Sequence, residues 1–91
     1  MNVMWNEAKR RANLKKHGLD FTDAELVFSG YTHTLTKPDT RFAYDEFRFS
    51  TIALLGIKVV VIAYTETVGE IHIISMRKAE RYEQKNYFAS I

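Results

Sequence analysis

The chain has 91 residues, of which 46% are hydrophobic and 26% are charged, and it contains no cysteine. This length and composition predict one globular domain spanning residues 1–91. The lack of cysteine excludes disulfides, thiolate metal sites and a cysteine nucleophile. The longest apolar run, Val59–Tyr64, is far shorter than the roughly 20 residues of a membrane-spanning helix, and no signal peptide is recognisable at the N-terminus. We therefore expect a cytoplasmic protein that does not contact a membrane.

The net charge is +2, but the charged residues are unevenly distributed along the chain. Residues 1–18 contain five basic residues and one acidic residue, and residues 77–91 contain four basic and two acidic residues. The intervening residues 19–76 have a net charge of −4. If the two basic ends meet in space, they form one positive field that attracts phosphate. Solvated helix faces would explain the same charges without any ligand.

Hydrophobic periodicity and capping residues predict the elements in chain order. A helix over residues 6–17 starts at Asn6 and ends before Gly18, and a short second helix follows a capping box at Thr22 and Glu25. Strands are predicted over residues 31–36, 47–54, 59–64 and 70–76, and a last helix over residues 77–88. Residues 59–64 are continuously apolar, which indicates a central strand buried on both faces. The prediction is an α+β fold with two N-terminal helices, a four-stranded antiparallel sheet and a C-terminal helix, the helices packing on one face of the sheet.

The first helix places four polar side chains at helical spacing on one side, namely Lys9, Asn13, Lys16 and His17. Trp5, Ala8 and Ala12 form a narrow apolar stripe on another side. Because so little apolar surface holds this helix, its polar face is a candidate for contact with a ligand. His17 lies among lysines at the helix C-terminus and is a candidate acid–base group near neutral pH.

The last helix is predicted to have a basic stripe formed by Arg77, Arg81 and Lys85, with Lys78 beside it. Arg77 directly follows a strand, and a side chain at such a junction is well placed to act as a preorganised phosphate clamp. Pairing of these cations with Glu80 and Glu83 would instead favour a purely structural role.

The remaining histidines and acidic residues indicate no metal site, because their spacing is not that of metal ligands. His72 alternates with Ile71 and Ile73 and is either a sheet histidine or a site residue. No glycine-rich phosphate loop is present. We therefore expect no metal and no cofactor.

Several motifs extend over nearly the whole chain. The first is Trp5-Asn6-x-x-Lys9-x-x-x-Asn13-Leu14-x-Lys16-His17-Gly18, followed by Phe21-x-x-Ala24-x-x-Val27-Phe28. The others are Asp39-x-Arg41, Glu46-x-Arg48-Phe49 and Ile73-Ile74-Ser75-x-Arg77-Lys78-Ala79-x-x-x-Glu83-x-x-x-Tyr87. In combination these motifs resemble the BrnT family of toxins, which implies a RelE-like ribonuclease fold and a bacterial type II toxin–antitoxin module. The resemblance also implies a BrnA-like antitoxin that binds DNA and neutralises the toxin, so that operator DNA is bound only through the complex.

Because of this resemblance, we hypothesise that the protein cleaves RNA without a metal ion and thereby inhibits translation. Arg77 and Arg81 would stabilise the phosphate charge, and Arg48 would orient the phosphate. His17 or Glu46 would transfer protons. Further residues are expected to bind the RNA, namely Lys9, Lys16, Lys78 and Trp5, although anchoring of the first helix to the core is the favoured role of Trp5.

This hypothesis requires the first and last helices to lie side by side across one sheet face. The alternative is a catalytically weak or inactive module that mainly binds its partner protein. A DNA-binding protein in its own right is disfavoured because the second helix is short and apolar.

Overall fold

A computed structural model describes residues 2–39 and 47–91. In this part of the chain, five strands and three helices follow one another with a 3₁₀ turn at Phe21–Asp23. The elements are β1 (Asn2–Met4), α1 (Glu7–His17), α2 (Ala24–Phe28), β2 (Thr34–Pro38), β3 (Arg48–Leu55), β4 (Lys58–Thr67), β5 (Glu70–Lys78) and α3 (Arg81–Ala89).

The strands form one mixed sheet in the order β1-β5-β4-β3-β2. The four strands β2 to β5 are antiparallel neighbours, as predicted, but β1 adds a fifth strand that runs parallel to β5. The prediction of a four-stranded sheet was therefore wrong. The three residues of β1 are too few to show an alternating pattern, and their partners Glu70–His72 lie near the other end of the chain.

Helices cover both faces of the sheet, which corrects the prediction that they share one face. On the face that we call the back face, Phe21, Ala24 and Val27 pack against Val60, Ile62 and other buried residues. On the opposite face, the front face, Tyr87 of α3 packs with Ile52, Val59 and Val61. Successive residues of β4 point to opposite faces, so the continuous apolar run in this strand supplies both cores.

The ends of α1 agree with the predicted capping residues. The side chain of Asn6 accepts a hydrogen bond from the backbone N–H of Lys9 at 3.1 Å. Gly18 ends the helix with φ of 69°, a left-handed conformation that glycine adopts at little cost. The predicted capping box at Thr22 was wrong, because Asp20 caps the 3₁₀ turn through the Thr22 N–H at 3.1 Å instead.

The last helix starts four residues later than predicted. Arg77 and Lys78 still belong to β5, where they pair with Val61 and Val60. The helix begins at Arg81. At the preceding residue, Glu80, the backbone N–H donates to the Glu83 carboxylate at 2.9 Å and so caps the helix. The predicted helical stripe from Arg77 to Lys85 therefore does not form.

A polar side chain, rather than the predicted alanine stripe, holds α1 to the sheet. Asn13 is 7% exposed, whereas Ala8 and Ala12 are exposed. Its Nδ2 donates to the Met76 carbonyl at 2.9 Å and to the Leu19 carbonyl at 3.0 Å, and its Oδ1 accepts from the Met76 N–H at 3.1 Å. The Asn13 amide thus pairs with both the N–H and the carbonyl of Met76. Met76 lies past Glu70–His72, the part of β5 that pairs with β1.

Among the described helices, none is long and apolar enough to span a membrane.

Candidate functional site

The front face of the sheet is only partly covered by α3. Near Tyr87 the sheet residues Ile52, Val59 and Val61 are buried. Farther along the same strands, two cross-strand rows of more accessible side chains follow. These rows are Lys37, Ser50, Ala63 and Ser75, and then Arg48, Thr65 and His72. We call these seven residues the open strip. Six of them are half-buried and Lys37 is exposed, so the strip is accessible to a ligand.

Arg77 lies on the front face beside the open strip, two residues after Ser75 on β5. Its Nη1 and Nη2 donate to the Glu83 Oε1 and Oε2 at 2.7 and 3.0 Å, and Nη1 also donates to the Lys78 carbonyl at 3.2 Å. The Arg77 side chain is 26% exposed and that of Glu83 is 10% exposed. This two-point contact fixes the direction of the guanidinium while leaving part of its surface accessible.

A pocket of about 250 Å³ connects Arg77 to the open strip and to the start of α3. We call it the α3 pocket. It is lined by Lys37, Pro38, Asp39, Ser50, Arg77, Tyr82 and Glu83. Two cationic side chains, two carboxylates and a hydroxyl line this space of limited size, an arrangement that offers both donors and acceptors to a flat polar group.

A second, shallower depression of about 290 Å³ lies between α1 and the edge of β5. This α1 groove is lined by Lys9, Ala12, Asn13, Lys16, His17, Ile74 and Ser75. Ser75 also belongs to the open strip, in the same cross-strand row as Ser50. The two serines are two strands apart, or about 10 Å at the usual strand spacing. The α1 groove and the α3 pocket therefore open at opposite ends of one row of residues.

The predicted site residues fall into three groups. Lys9, Lys16 and His17 meet in the α1 groove, and Arg48 and Arg77 share the front face. The other predicted residues lie elsewhere. Arg81 is exposed at the start of α3, and Lys78 pairs with Val60, so its side chain points to the back face. Trp5 is partly buried against the hydrophobic core of the back face, as expected if it anchors the first helix. Glu46 lies outside the described residues.

The first and last helices do not lie side by side on one face, so the single phosphate-binding groove between two basic helices that the sequence hypothesis required does not form. Instead, α1 is hydrogen-bonded to Met76 of β5 through Asn13 and packs with the back-face elements. Helix α3 is hydrogen-bonded to Arg77 of β5 through Glu83 and covers part of the front face. Met76 and Arg77 are adjacent and point to opposite faces. The two basic ends of the chain therefore approach the same end of β5 from different sides.

No functional role was predicted from the sequence for Lys37, Ser50 or Tyr82, and the role of His72 was left undecided. Ser50 and His72 are in predicted strands, but which residues become cross-strand neighbours depends on the register, which the sequence does not display.

A larger pocket of about 610 Å³ lies near β1 and α2, where Glu25 and Glu70 contribute to its lining. Its negative charge is unsuited to a phosphate ligand.

Charge pairing also holds α1 against the 3₁₀ turn. Arg10 Nη1 donates to the Asp20 carboxylate at 3.0 Å, and Arg10 Nε donates to Glu7. The pKa of Asp20 is lowered by the hydrogen bond from the Thr22 backbone and by Arg10. The pKa of Glu7 is lowered mainly by its hydrogen bond with Arg10.

Among the described residues, no three histidine or acidic side chains converge as metal ligands would.

Comparisons with known proteins agree with this fold. A family model described as the ribonuclease toxin BrnT of type II toxin–antitoxin systems matches residues 5–83. A comparison with curated protein sequences gave no match. The chain is similar to the crystal structure of the Brucella abortus ribonuclease toxin BrnT, with 26% identity and a TM-score of 0.66. That similarity covers 89% of this chain and 99% of the other. The chain belongs to the BrnT family of ribonuclease toxins of type II toxin–antitoxin systems.

Proposed function

We propose that this protein is a metal-independent endoribonuclease that cleaves RNA on the open strip and thereby inhibits translation. The observation that carries the proposal is the position of Arg77 beside the strip, where Glu83 fixes its guanidinium by two hydrogen bonds. A fixed guanidinium stabilises developing charge on a phosphate without reorganising during the reaction.

In the proposed reaction, a ribose 2′-hydroxyl attacks the adjacent phosphorus. A base removes the 2′ proton, the bond from phosphorus to the 5′ oxygen breaks, and the departing 5′ oxygen takes a proton from an acid. The products are a 2′,3′-cyclic phosphate and a 5′-hydroxyl. RNA supplies its own nucleophile, so the protein has to orient the strand, stabilise charge and move protons.

Two arginines of the front face are assigned to the phosphate. Arg77 stabilises its charge, and Arg48, which starts β3, orients it. His72 lies in the same cross-strand row as Arg48, whereas His17 lies in the α1 groove. Either histidine, or Glu46, is a candidate for proton transfer. Of the two described candidates, His72 shares its face with both arginines.

Lys9 and Lys16 supply attraction for the RNA backbone on the α1 side. Both are exposed and line the α1 groove, which adjoins the open strip at Ser75. A strand that crosses the strip from the α3 pocket would reach these lysines. Each phosphate that they neutralise makes binding more sensitive to salt.

RNA cleavage in the presence of EDTA tests the proposal. The wild-type protein is expected to cleave single-stranded RNA and leave 2′,3′-cyclic phosphate ends. Arg77→Ala is expected to lower the rate at least about 100-fold, the usual effect of losing an electrostatic stabiliser. The matched control is Arg11→Ala, which removes the same charge from an exposed position of α1 outside the groove. Loss of cleavage with chelator, or equal rates for both variants, would contradict the proposal.

The alternative, a module that mainly binds its partner protein, is favoured by one feature of the same site. Glu83 neutralises Arg77, as expected if the arginine serves to hold α3 against the sheet. Mixing the wild-type protein with RNA separates the two functions, because binding without product formation supports the module. Cleavage that disappears in Arg77→Ala supports the enzyme.

The neutralising partner in this proposal is a BrnA-like antitoxin, and operator DNA is bound through the antitoxin. Membership of a type II toxin family supports such a partner. Among the described helices, α2 has five residues and is too short to read a major groove. An electrophoretic shift of operator DNA by the complex, with none by the toxin alone, is the expected result. A specific shift by the toxin alone would contradict it.

A further inference from the structure

Tyr82 places an exposed aromatic ring at the α3 pocket. The residue is 59% exposed and lies in the first turn of α3, immediately before the buried Glu83. Glu83 and Tyr87 are the residues of α3 that face the sheet. Tyr82 therefore leaves the helix at its flank, where it lines the same pocket as Lys37, Ser50 and Arg77.

The pocket has the size and lining of a site for a single planar group. Its volume of about 250 Å³ lies below the roughly 300–1,000 Å³ of clefts that enclose drug-sized ligands. Lys37 and Ser50 are cross-strand partners that form part of its floor. Their ammonium and hydroxyl groups donate hydrogen bonds, while the phenol ring of Tyr82 offers a flat apolar surface.

We propose that Tyr82 is the stacking platform of a nucleobase subsite, which holds one base of the RNA next to the phosphate contacted by Arg77. Lys37 and Ser50 face the edge of that base. The inference rests on the proposed function and adds to it how the RNA is positioned. Aromatic stacking suits this role because every base has a flat face, and RNA-binding proteins recognise unpaired bases by stacking on aromatic rings.

Binding of uncleavable RNA tests the subsite. Labelled 2′-O-methyl oligonucleotides of about eight nucleotides are suitable, since one single-strand site covers about 4–16. Separate A, U and C homopolymers and one mixed sequence containing G show whether a base is preferred. Tyr82→Ala is expected to weaken binding at least about five-fold, the lower limit for loss of one stacked base. Tyr82→Phe and Tyr82→Trp keep a ring and are expected to bind within about two-fold of the wild type.

The matched control is Tyr31→Ala. Tyr31 is 83% exposed and does not line the α3 pocket, so its removal is expected to leave RNA affinity unchanged. Melting temperatures of all variants are expected to match the wild type, because both tyrosines are largely exposed. A fall in affinity confined to Tyr82→Ala therefore reports on the subsite rather than on folding.

An oligonucleotide with one abasic position provides a second measurement. Moving the abasic position along the mixed sequence is expected to reveal one position at which the wild type loses as much affinity as Tyr82→Ala does. At that position, Tyr82→Ala is expected to lose nothing further, because the ring and the base form one interaction.

Equal affinity of wild type and Tyr82→Ala, in a protein that binds RNA, overturns the subsite and leaves the proposed function standing. Additive losses from Tyr82→Ala and the abasic position also overturn it. Failure of the wild type to bind any of the oligonucleotides overturns both the subsite and the proposed function.

Discussion

Arg77 and Glu83 combine a structural role with the proposed chemical role in one contact. The Glu83 carboxylate accepts from both Arg77 amino groups and from the Glu80 backbone, so one side chain orients the arginine and also starts α3. The pair is neither fully exposed, where its effect on stability would be small, nor fully buried, where desolvation would offset its attraction. We infer that its main effect on function is on the direction of the guanidinium.

Replacing Glu83 with alanine tests this role. Glu83→Ala removes a negative charge, so RNA affinity is expected to stay equal or to increase. The cleavage rate at saturating RNA is expected to fall about 10- to 100-fold because the guanidinium loses its orientation. Stability is expected to fall by about 1–3 kcal/mol, since the Glu80 N–H loses its acceptor. Single-turnover cleavage and urea unfolding measure these effects, and an unchanged cleavage rate would show that orientation by Glu83 is unimportant.

Individual residues were predictable from the sequence only where their role depended on near neighbours. Asn6 and Gly18 were identified as the ends of α1 because capping is local. Asn13 was assigned only to a polar helix face, since its partner Met76 is 63 residues away. Arg77 was expected to follow a strand as the first residue of the last helix, but it belongs to β5. That expectation was wrong because α3 begins only at Arg81, where the Glu83 carboxylate accepts from the Glu80 N–H.

At the scale of elements, α1 is unusual because polar contacts hold it in place. The Asn13 amide bonds to β5 and Arg10 pairs with Asp20, while Trp5 provides an apolar contact just before the helix. The apolar stripe expected from helical periodicity is exposed at Ala8 and Ala12. Periodicity predicts the buried face when apolar burial fixes a helix, and here hydrogen bonds fix it instead.

The anchoring of α1 is expected to weaken in acid. The pKa of Asp20 is lowered below its ordinary 3.8 and that of Glu7 below its ordinary 4.5 in the folded protein. Their contribution to stability is therefore complete above the ordinary values and is lost as pH falls through the lowered ones. The urea midpoint of the wild type is expected to fall between about pH 5 and pH 2.

Asp20→Asn is expected to have a lower midpoint than the wild type at neutral pH and a shallower fall in acid. Asp23→Asn is the matched control, because the side chain of Asp23 does not cap α2. Its pH dependence is expected to follow that of the wild type. Equal slopes for Asp20→Asn and the wild type would show that Asp20 does not anchor α1.

At the scale of the whole molecule, the sequence predicted the α+β class, the four antiparallel strands and the basic character of both chain ends. It did not predict the fifth strand, because three residues carry no periodic signal, or the distribution of helices over both faces. The continuous apolar run Val59–Tyr64 was an indication of two covered faces, and all of it except Ala63 is buried. The open strip could not be predicted, since it depends on the register of four strands and on where α3 begins.

The central claim is that RNA lies on the front face, between the α3 pocket and the α1 groove. Backbone amide shifts measured by NMR during titration with a short 2′-O-methyl RNA test it most directly. Shifts are expected to be concentrated at Ser50, Ala63, Ser75 and Arg77 and to extend to Lys16 and Tyr82. Shifts concentrated instead on the back-face side, at Glu25, Phe28 and Ser29, would contradict this placement of the RNA.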